Sequence, residues 1–136
     1  KVIVRSWLEI LRLAGLEAMA WAALPTVFGE RYLQQHHSLL DNIVKAIVKR
    51  NKPQALIAQL EAVMRYPPPA IIGHKSYPST LVISGTEDPL VETNEVRNLA
   101  DQCQGRHEEL SGIGHSIPAE APKRFEKLVL EFLSTP

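Results

Sequence analysis

The sequence predicts an α/β protein in which a helical segment precedes a parallel βαβα unit. Two observations carry this prediction. Apolar residues recur at helical spacing up to residue 66, and two short strand-like runs, each followed by a helical pattern, come after it. Alternation of strand and helix implies parallel strands joined by right-handed crossovers. Because two strands alone make no stable sheet and leave unpaired edges, we expect the sheet to be incomplete.

The first helical pattern covers 6–24, where apolar residues return every three or four positions. Gly15 is expected to divide this stretch into two helices. Pro25 is expected to end it, because proline disfavours a helical conformation in the residue before it.

Two more helices are predicted before residue 66. The apolar spacing over 39–50 indicates an amphipathic helix, with Ser38 as its N-cap. Asn51 is expected to cap the next helix, which holds Pro53 in its first turn, where a missing backbone N–H is tolerated.

The second half begins with a proline-rich connection over 67–77. The run 80–84 is apolar and β-branched without alternation, which is typical of a strand buried on both faces in a parallel sheet. A helix over 92–103, a strand over 106–110 and a final helix over 120–133 complete the predicted unit.

Composition narrows the classes of partner. Fifteen basic residues balance fifteen acidic ones, so nothing in the charge favours nucleic acid or an anionic membrane. We expect no apolar run long enough to span a bilayer. The lone cysteine, Cys103, cannot form an internal disulfide, which is compatible with a reducing, cytoplasmic location. The chain starts at Lys1 rather than Met, so a natural short protein and a shortened chain both stay open.

Two loops carry side chains that are suited to acid–base catalysis. Asp88 follows the first predicted strand and His115 follows the second, so both lie at the carboxyl edge of a parallel sheet, where open α/β folds place their sites. A carboxylate beside an imidazole fixes the ring and steadies the imidazolium, which leaves the other ring nitrogen to act as a general base. Taken singly, Asp88 is more often a turn residue and His115 a surface loop residue.

The residues around this pair resemble those of the α/β-hydrolase family. The stretch 78–88 looks like that family's acid-bearing strand. The histidine loop and final helix are matched by Gly114, His115, Glu120, Pro122 and Phe125. The first 66 residues are similar in type to the helical cap of this family, although caps vary.

The resemblance implies three regions: a helical cap over 1–66, the connection over 67–77, and the C-terminal part of the hydrolase core over 78–136. It also implies that Asp88 is the triad acid and His115 the general base, with no cofactor. In this family the nucleophile precedes the acid. The Gly-x-Ser-x-Gly elbow occurs around none of the serines in this chain, so the nucleophile is missing and the 136 residues alone are expected to be inactive.

Other candidates are weaker. Cys103 fits core packing better than nucleophilic use. Ser116 adjoins His115 but is poorly placed for activation by its neighbour, and Glu87 is a minor alternative to Asp88. No metal site is expected, since the remaining histidines lack ligand spacing: His36, His37, His74 and His107.

Two hypotheses from different classes follow. The first is a partial serine-type hydrolase that acts on a small-molecule ester, lactone or similar bond once a missing N-terminal half supplies the nucleophile. The second is a non-catalytic, hydrolase-derived protein that binds a partner or itself through its unfinished sheet.

Overall fold

The computed structural model of the chain describes residues 1–66 and 78–134. The predicted connection over 67–77 lies outside the described residues. The described residues form two compact units. A helical unit comprises 1–25 and 33–66, and a strand-bearing unit comprises 26–32 and 78–134. The inclusion of 26–32 in the strand-bearing unit has no counterpart in the sequence prediction, and the role of the helical unit as a cap stays a prediction.

Helix α1, Val2–Val27, opens the chain, and Gly15 interrupts it with a φ of 87° and a ψ of 179°. The predicted break at Gly15 is confirmed, because these angles are accessible essentially only to glycine. The predicted end at Pro25 is wrong, since the helix continues to Val27. The preference against a helical residue before proline is weak enough for the buried side chain of Leu24 to override it.

Helix α2, Glu30–Gln35, was not predicted, and a 3-10 turn over His37–Leu39 follows it. Helix α3 covers Leu40–Arg50. Its N-cap is Leu39, without a side-chain hydrogen bond, so the predicted cap at Ser38 is wrong. The 3-10 turn replaces a side-chain cap, because the Leu39 N–H donates to the His36 carbonyl at 2.8 Å.

Helix α4 covers Pro53–Arg65, and Pro53 occupies its first turn as predicted. The predicted cap at Asn51 is wrong, because Lys52 is the N-cap. Asn51 instead closes the preceding helix: its side-chain amide donates to the Ile47 carbonyl at 2.8 Å, which satisfies a carbonyl that the helix end leaves open.

The core of the helical unit is apolar. Leu11, Leu16 and Met19 of α1 form its centre. Partly buried apolar residues of α1, α3 and α4 pack around this centre: Trp7, Ile10, Ala23, Val48, Leu56, Ile57 and Leu60. The apolar faces of the three helices therefore pack against one another, as their amphipathic spacing predicts.

By length and composition alone, α1 would be able to cross a membrane. This corrects the expectation that no apolar run is long enough. The observation is weak evidence for a membrane span, because the core helix of a soluble protein meets the same criterion. Gly15 also divides α1 into two pieces, each well short of the roughly 20 residues that a spanning helix needs.

The strand-bearing unit contains the predicted βαβα order. Strands β1, Leu81–Gly85, and β2, Arg106–Leu110, are joined by α5, Thr93–Gln102. The strands pair in parallel, with Leu81 opposite Arg106 and Gly85 opposite Leu110. Two helices follow β2: α6, Ile117–Glu120, and α7, Pro122–Leu133. The predicted parallel, adjacent strands and the incomplete sheet are confirmed.

A second apolar core lies between the sheet and the last helices. Leu110, Ile117 and Ala121 form its centre, with Ile83, Ile113, Phe125 and Leu128 packed around them. Burial of β1 on both faces is only partly realised, since Leu81, Val82 and Ile83 are half-buried. The reason is that the sheet in the described residues has only two strands.

Candidate active site

Asp88 and His115 meet at the carboxyl edge of the sheet. Asp88 lies in the loop that follows β1, and His115 lies in the loop that follows β2. The His115 Nδ1 atom is 2.9 Å from the Asp88 Oδ2 atom, which is a hydrogen-bonding distance. Although 27 residues separate them, the parallel register brings their loops together. The predicted geometry is confirmed, and the catalytic role of the pair stays a prediction.

The two oxygens of Asp88 have separate partners. Oδ1 accepts from the Leu90 N–H at 2.8 Å and from the Val91 N–H at 3.3 Å, which is an Asx-type turn. Oδ2 is left for His115. Asp88 is therefore both a turn residue and the partner of the imidazole, so its place in the turn does not compete with its bond to His115. The turn fixes the direction in which Oδ2 points.

Exposure differs across the pair. The Asp88 side chain is 10% exposed and the His115 side chain 45% exposed. An ionised carboxylate can only accept hydrogen bonds, so Nδ1 carries the proton of the bond. In the described residues Nε2 of His115 has no hydrogen-bond partner. The half-exposed imidazole thus keeps an acceptor nitrogen without a hydrogen bond, which is the arrangement a general base needs.

Hydrogen bonds between the two loops hold the histidine loop in place. The Thr86 hydroxyl accepts from the Gly112 N–H at 2.9 Å, and the Glu87 N–H donates to the Ile113 carbonyl at 2.9 Å. Gly85 packs so tightly that a Cβ there would overlap the Ile113 carbonyl oxygen. The absence of a side chain at Gly85 is what permits the two loops to approach this closely.

Two glutamates near the pair bind backbone rather than the imidazole. Glu87 Oε2 accepts from the Glu30 N–H at 2.9 Å, so Glu87 does not replace Asp88 as the partner of His115. Glu120 Oε2 accepts from the N–H groups of Gly29, at 2.9 Å, and Gly114, at 3.0 Å. The sequence assigned Glu120 no role beyond its place in the family resemblance, because nothing in it shows that residues 26–32 reach this loop.

The alternative nucleophiles are poorly placed. The Ser116 hydroxyl makes no hydrogen bond to His115. Ser84 does pair with a histidine, since its hydroxyl is 2.8 Å from Nε2 of His107, but Ser84 is only 6% exposed and lies within the sheet. Cys103 is half-buried at the end of α5. In the part of the chain that the structure describes, no hydroxyl or thiol is hydrogen-bonded to His115.

Metal-ligand side chains are scattered. Across residues 1–66 and 78–134, no group of three or more His, Cys, Asp or Glu side chains could hold a metal ion. Of the four histidines without ligand spacing, His74 lies outside the described residues.

Two solved structures share this architecture. The enol-lactonase from Burkholderia xenovorans LB400 superposes with a TM-score of 0.81 and 25% identity, over 98% of this chain and 50% of that chain. MGS-M2, an α/β hydrolase enzyme from a Medee basin deep-sea metagenome library, superposes with a TM-score of 0.80 and 20% identity, over 99% of this chain and 50% of that chain. No protein-family model and no curated protein sequence matches the chain. The chain spans about half the length of the solved structures it matches.

Proposed function

Because this chain is related to the α/β-hydrolases and has the fold of the C-terminal part of such an enzyme, we propose that it carries the acid and the base of a serine-type hydrolase. Asp88 is the acid and His115 the general base. The bond cleaved is an ester, a lactone or a similar acyl bond. The helical unit is assigned the role of the cap, on the grounds of its place in the chain before the acid-bearing strand.

One observation carries the proposal: the 2.9 Å hydrogen bond between His115 Nδ1 and Asp88 Oδ2, with Asp88 Oδ1 locked by the Leu90 N–H. A carboxylate so placed fixes the tautomer and the orientation of the imidazole and stabilises the imidazolium that forms during reaction. In an exposed histidine without such a partner, neither the tautomer nor the orientation of the ring would be fixed.

The reaction follows from this geometry. His115 Nε2 takes the proton of a nucleophilic hydroxyl, and the oxygen of that hydroxyl bonds to the substrate carbonyl carbon. Breaking the bond from that carbon to the leaving oxygen leaves an acyl-enzyme, and the imidazolium returns the proton to the leaving group. Water then attacks the acyl group, His115 takes its proton, and this proton returns to the nucleophile as the acid departs. Asp88 stays ionised throughout.

The nucleophile is proposed to come from outside these 136 residues. No serine here lies in a Gly-x-Ser-x-Gly elbow. The solved structures that the chain matches are about twice its length, which leaves room for a half that carries an elbow and an oxyanion hole. We therefore expect the gene upstream of Lys1 to encode core strands and this elbow.

The substrate class is narrowed only by the comparison. One matched structure is an enol-lactonase at 25% identity, which supports a lactone or ester within the acyl class. A cyclic and an open ester place the same demand on His115, since both need a proton at the leaving oxygen. The chemistry as proposed calls for no cofactor.

The experiment uses the chain extended by the residues encoded upstream of Lys1, assayed on p-nitrophenyl esters and on an enol-lactone. His115→Ala should lower kcat by about 10⁴-fold, and Asp88→Asn by a similar factor, because the amide keeps the shape but not the charge that fixes the imidazole. The matched controls are His37→Ala and Asp101→Asn, which make the same changes at an exposed histidine and an exposed aspartate and should leave kcat unchanged. Full activity in both pair variants would refute the proposal.

A second candidate, a non-catalytic protein that associates through its sheet, is favoured by one observation. The apolar side chains of β1 at Leu81, Val82 and Ile83 are half-exposed in a sheet of two strands. A start codon at or near Lys1, together with a dimer in light scattering that Val82→Lys disrupts, would favour this candidate over the hydrolase.

A further inference from the structure

We propose that Glu120 is a positioning residue that holds His115 in place by tying the histidine loop to the segment 26–32. This inference rests on the proposed function for its catalytic meaning. The structural part, that Glu120 fixes the backbone on which His115 stands, can be tested without any assay of activity.

The carboxylate of Glu120 joins two distant stretches of chain through one oxygen. Oε2 accepts from the Gly114 N–H at 3.0 Å and from the Gly29 N–H at 2.9 Å. Hydrogen bonds to an ionised acceptor are stronger than those between neutral groups. Gly114 directly precedes His115 in the chain, so the first of these bonds limits where the His115 Cα atom can lie.

The other neighbour of His115 is tied to the same segment. The Ser116 N–H donates to the Val27 carbonyl at 3.0 Å. The backbone on both sides of His115 is therefore bound to residues 27–29, on one side directly and on the other through Glu120. With both flanking peptides held, the direction of the imidazole toward Asp88 depends on where this segment sits.

Space at the junction is tight. A Cβ on Gly114 would lie 3.0 Å from Glu120 Oε1, and a Cβ on Gly29 would lie 3.0 Å from Glu120 Oε2. Glu120 Oε1 is itself buried without a hydrogen-bond partner in the described residues. Since Oε1 receives no hydrogen bond, the two bonds to Oε2 set the orientation of the carboxylate.

The hydrogen bonds of Glu120 go to the backbone of Gly29 and Gly114 and none goes to the His115 ring, so the loss of Glu120 should act only through the position of the ring. In the extended protein, removal of the acceptor should lower kcat about 10- to 100-fold while KM stays within about twofold, as expected when a base is misplaced by a change away from the chemistry. Gln at this position keeps a carbonyl acceptor and should restore most of kcat.

The deciding experiment is nuclear magnetic resonance of the 136-residue chain, in which the hydrogen-bonded Nδ1 proton of His115 is observed directly. Asp88→Asn identifies the signal by shifting or removing it. Glu120→Met keeps the length of the side chain without a strong acceptor, and should broaden or abolish the signal. Glu120→Gln should retain it, as should Glu126→Met, which makes the same change at an exposed glutamate of α7. A signal that survives in Glu120→Met as it does in Glu126→Met would overturn the proposal.

If Glu120→Met fails to fold, hydrogen exchange of the backbone amides is measured in the parent and in Glu120→Gln, and it tests the role of Glu120 instead. The Gly29 and Gly114 amides should exchange at least about tenfold more slowly than unbonded loop amides, as a hydrogen bond to a charged group predicts, and Gln should keep part of this protection. Fast exchange of both amides in the folded parent would refute the role of Glu120. By contrast, an extended protein that shows the His115 signal but has no hydrolase activity would refute the proposed function and leave the positioning role intact.

Discussion

The two units of the chain are held by different interactions. The helical unit packs apolar side chains around Leu11, Leu16 and Met19, and its helices α3 and α4 begin without side-chain caps. The strand-bearing unit has its own apolar core, but polar contacts also hold its loops. In these contacts the side-chain oxygens of Thr86 and Glu120 accept hydrogen bonds from backbone N–H groups. Stability in the first unit should follow buried volume, whereas site geometry in the second should follow individual polar contacts and backbone clearances.

The glycines of the two units show the same difference. A Cβ on Gly15 in the helical unit would meet open space. Glycine is needed there because of the backbone angles, with φ at 87°. Gly85 in the strand-bearing unit is required for clearance, because a Cβ there would overlap the Ile113 carbonyl. One glycine shapes a helix junction, and the other permits the loops that carry Asp88 and His115 to meet.

The largest effect on stability is expected from Leu8→Ala in the helical unit. Leu8 is 1% exposed, and the cavity left by its truncation should lower the free energy of unfolding by about 2–5 kcal/mol. Leu13→Ala is the matched control, because Leu13 is 86% exposed and should change the same quantity by less than about 0.5 kcal/mol. Denaturant titration followed by circular dichroism measures both; equal losses would contradict a packed core in this unit.

Gly85→Ala tests the clearance in the strand-bearing unit. The added methyl group must displace the Ile113 backbone, and we expect the free energy of unfolding to fall by about 3 kcal/mol, the upper end of the usual cost of overpacking. Because Ile113 lies two residues before His115, the His115 Nδ1 proton signal should also change. A variant with unchanged stability and an unchanged signal would show that the loops have more room than the structure gives them.

Gly15→Ala should cost less and leave the site untouched. Alanine is strained at these angles by about 2 kcal/mol, and straightening α1 to relieve the strain would pull Leu11 or Leu16 away from the core. Thermal unfolding gives the loss, and the His115 signal should match that of the parent. A more stable Gly15→Ala variant would mean that α1 can run straight without penalty.

The smallest effect is expected at the ion pair between Arg12 and Glu61, which links α1 to α4 at 2.6 Å with both side chains partly exposed. Arg12→Gln should lower the free energy of unfolding by about 0.2–1 kcal/mol, and the difference should shrink in 1 M salt. Lys45→Gln removes a charge from an exposed position and serves as the control. A loss of several kcal/mol that salt does not reduce would show that polar contacts also dominate the helical unit.

Much of the fold could be predicted because local signals and tertiary structure agree. The apolar run of β1 and the turn after it located the loop that carries Asp88, and parallel pairing of the strands places His115 beside it. The helix boundaries were less predictable, because tertiary packing overrode local preference at Pro25 and a 3-10 turn replaced the cap expected at Ser38.

The supports of the site could not be predicted from local pattern. Residues 26–32 lie between the predicted helices 6–24 and 39–50, and no pattern in them assigns them to the strand-bearing unit. Their contact with Glu120 joins positions 91 residues apart through a backbone N–H, a donor that every residue other than proline has. A sequence pattern does not reveal such a contact, since no particular side chain is needed on one side of it.

The central claim is that the chain holds a prepared acid–base pair whose nucleophile comes from elsewhere. The most direct measurement compares p-nitrophenyl ester turnover by the 136-residue chain with turnover by the chain extended upstream of Lys1. We predict that the short chain shows no more than slow hydrolysis, far below a complete triad, and that the extended protein turns over rapidly in a manner that Asp88→Asn abolishes. Burst kinetics from the short chain alone, blocked by a serine-directed phosphonate, would contradict the claim and make Ser116 the first residue to test.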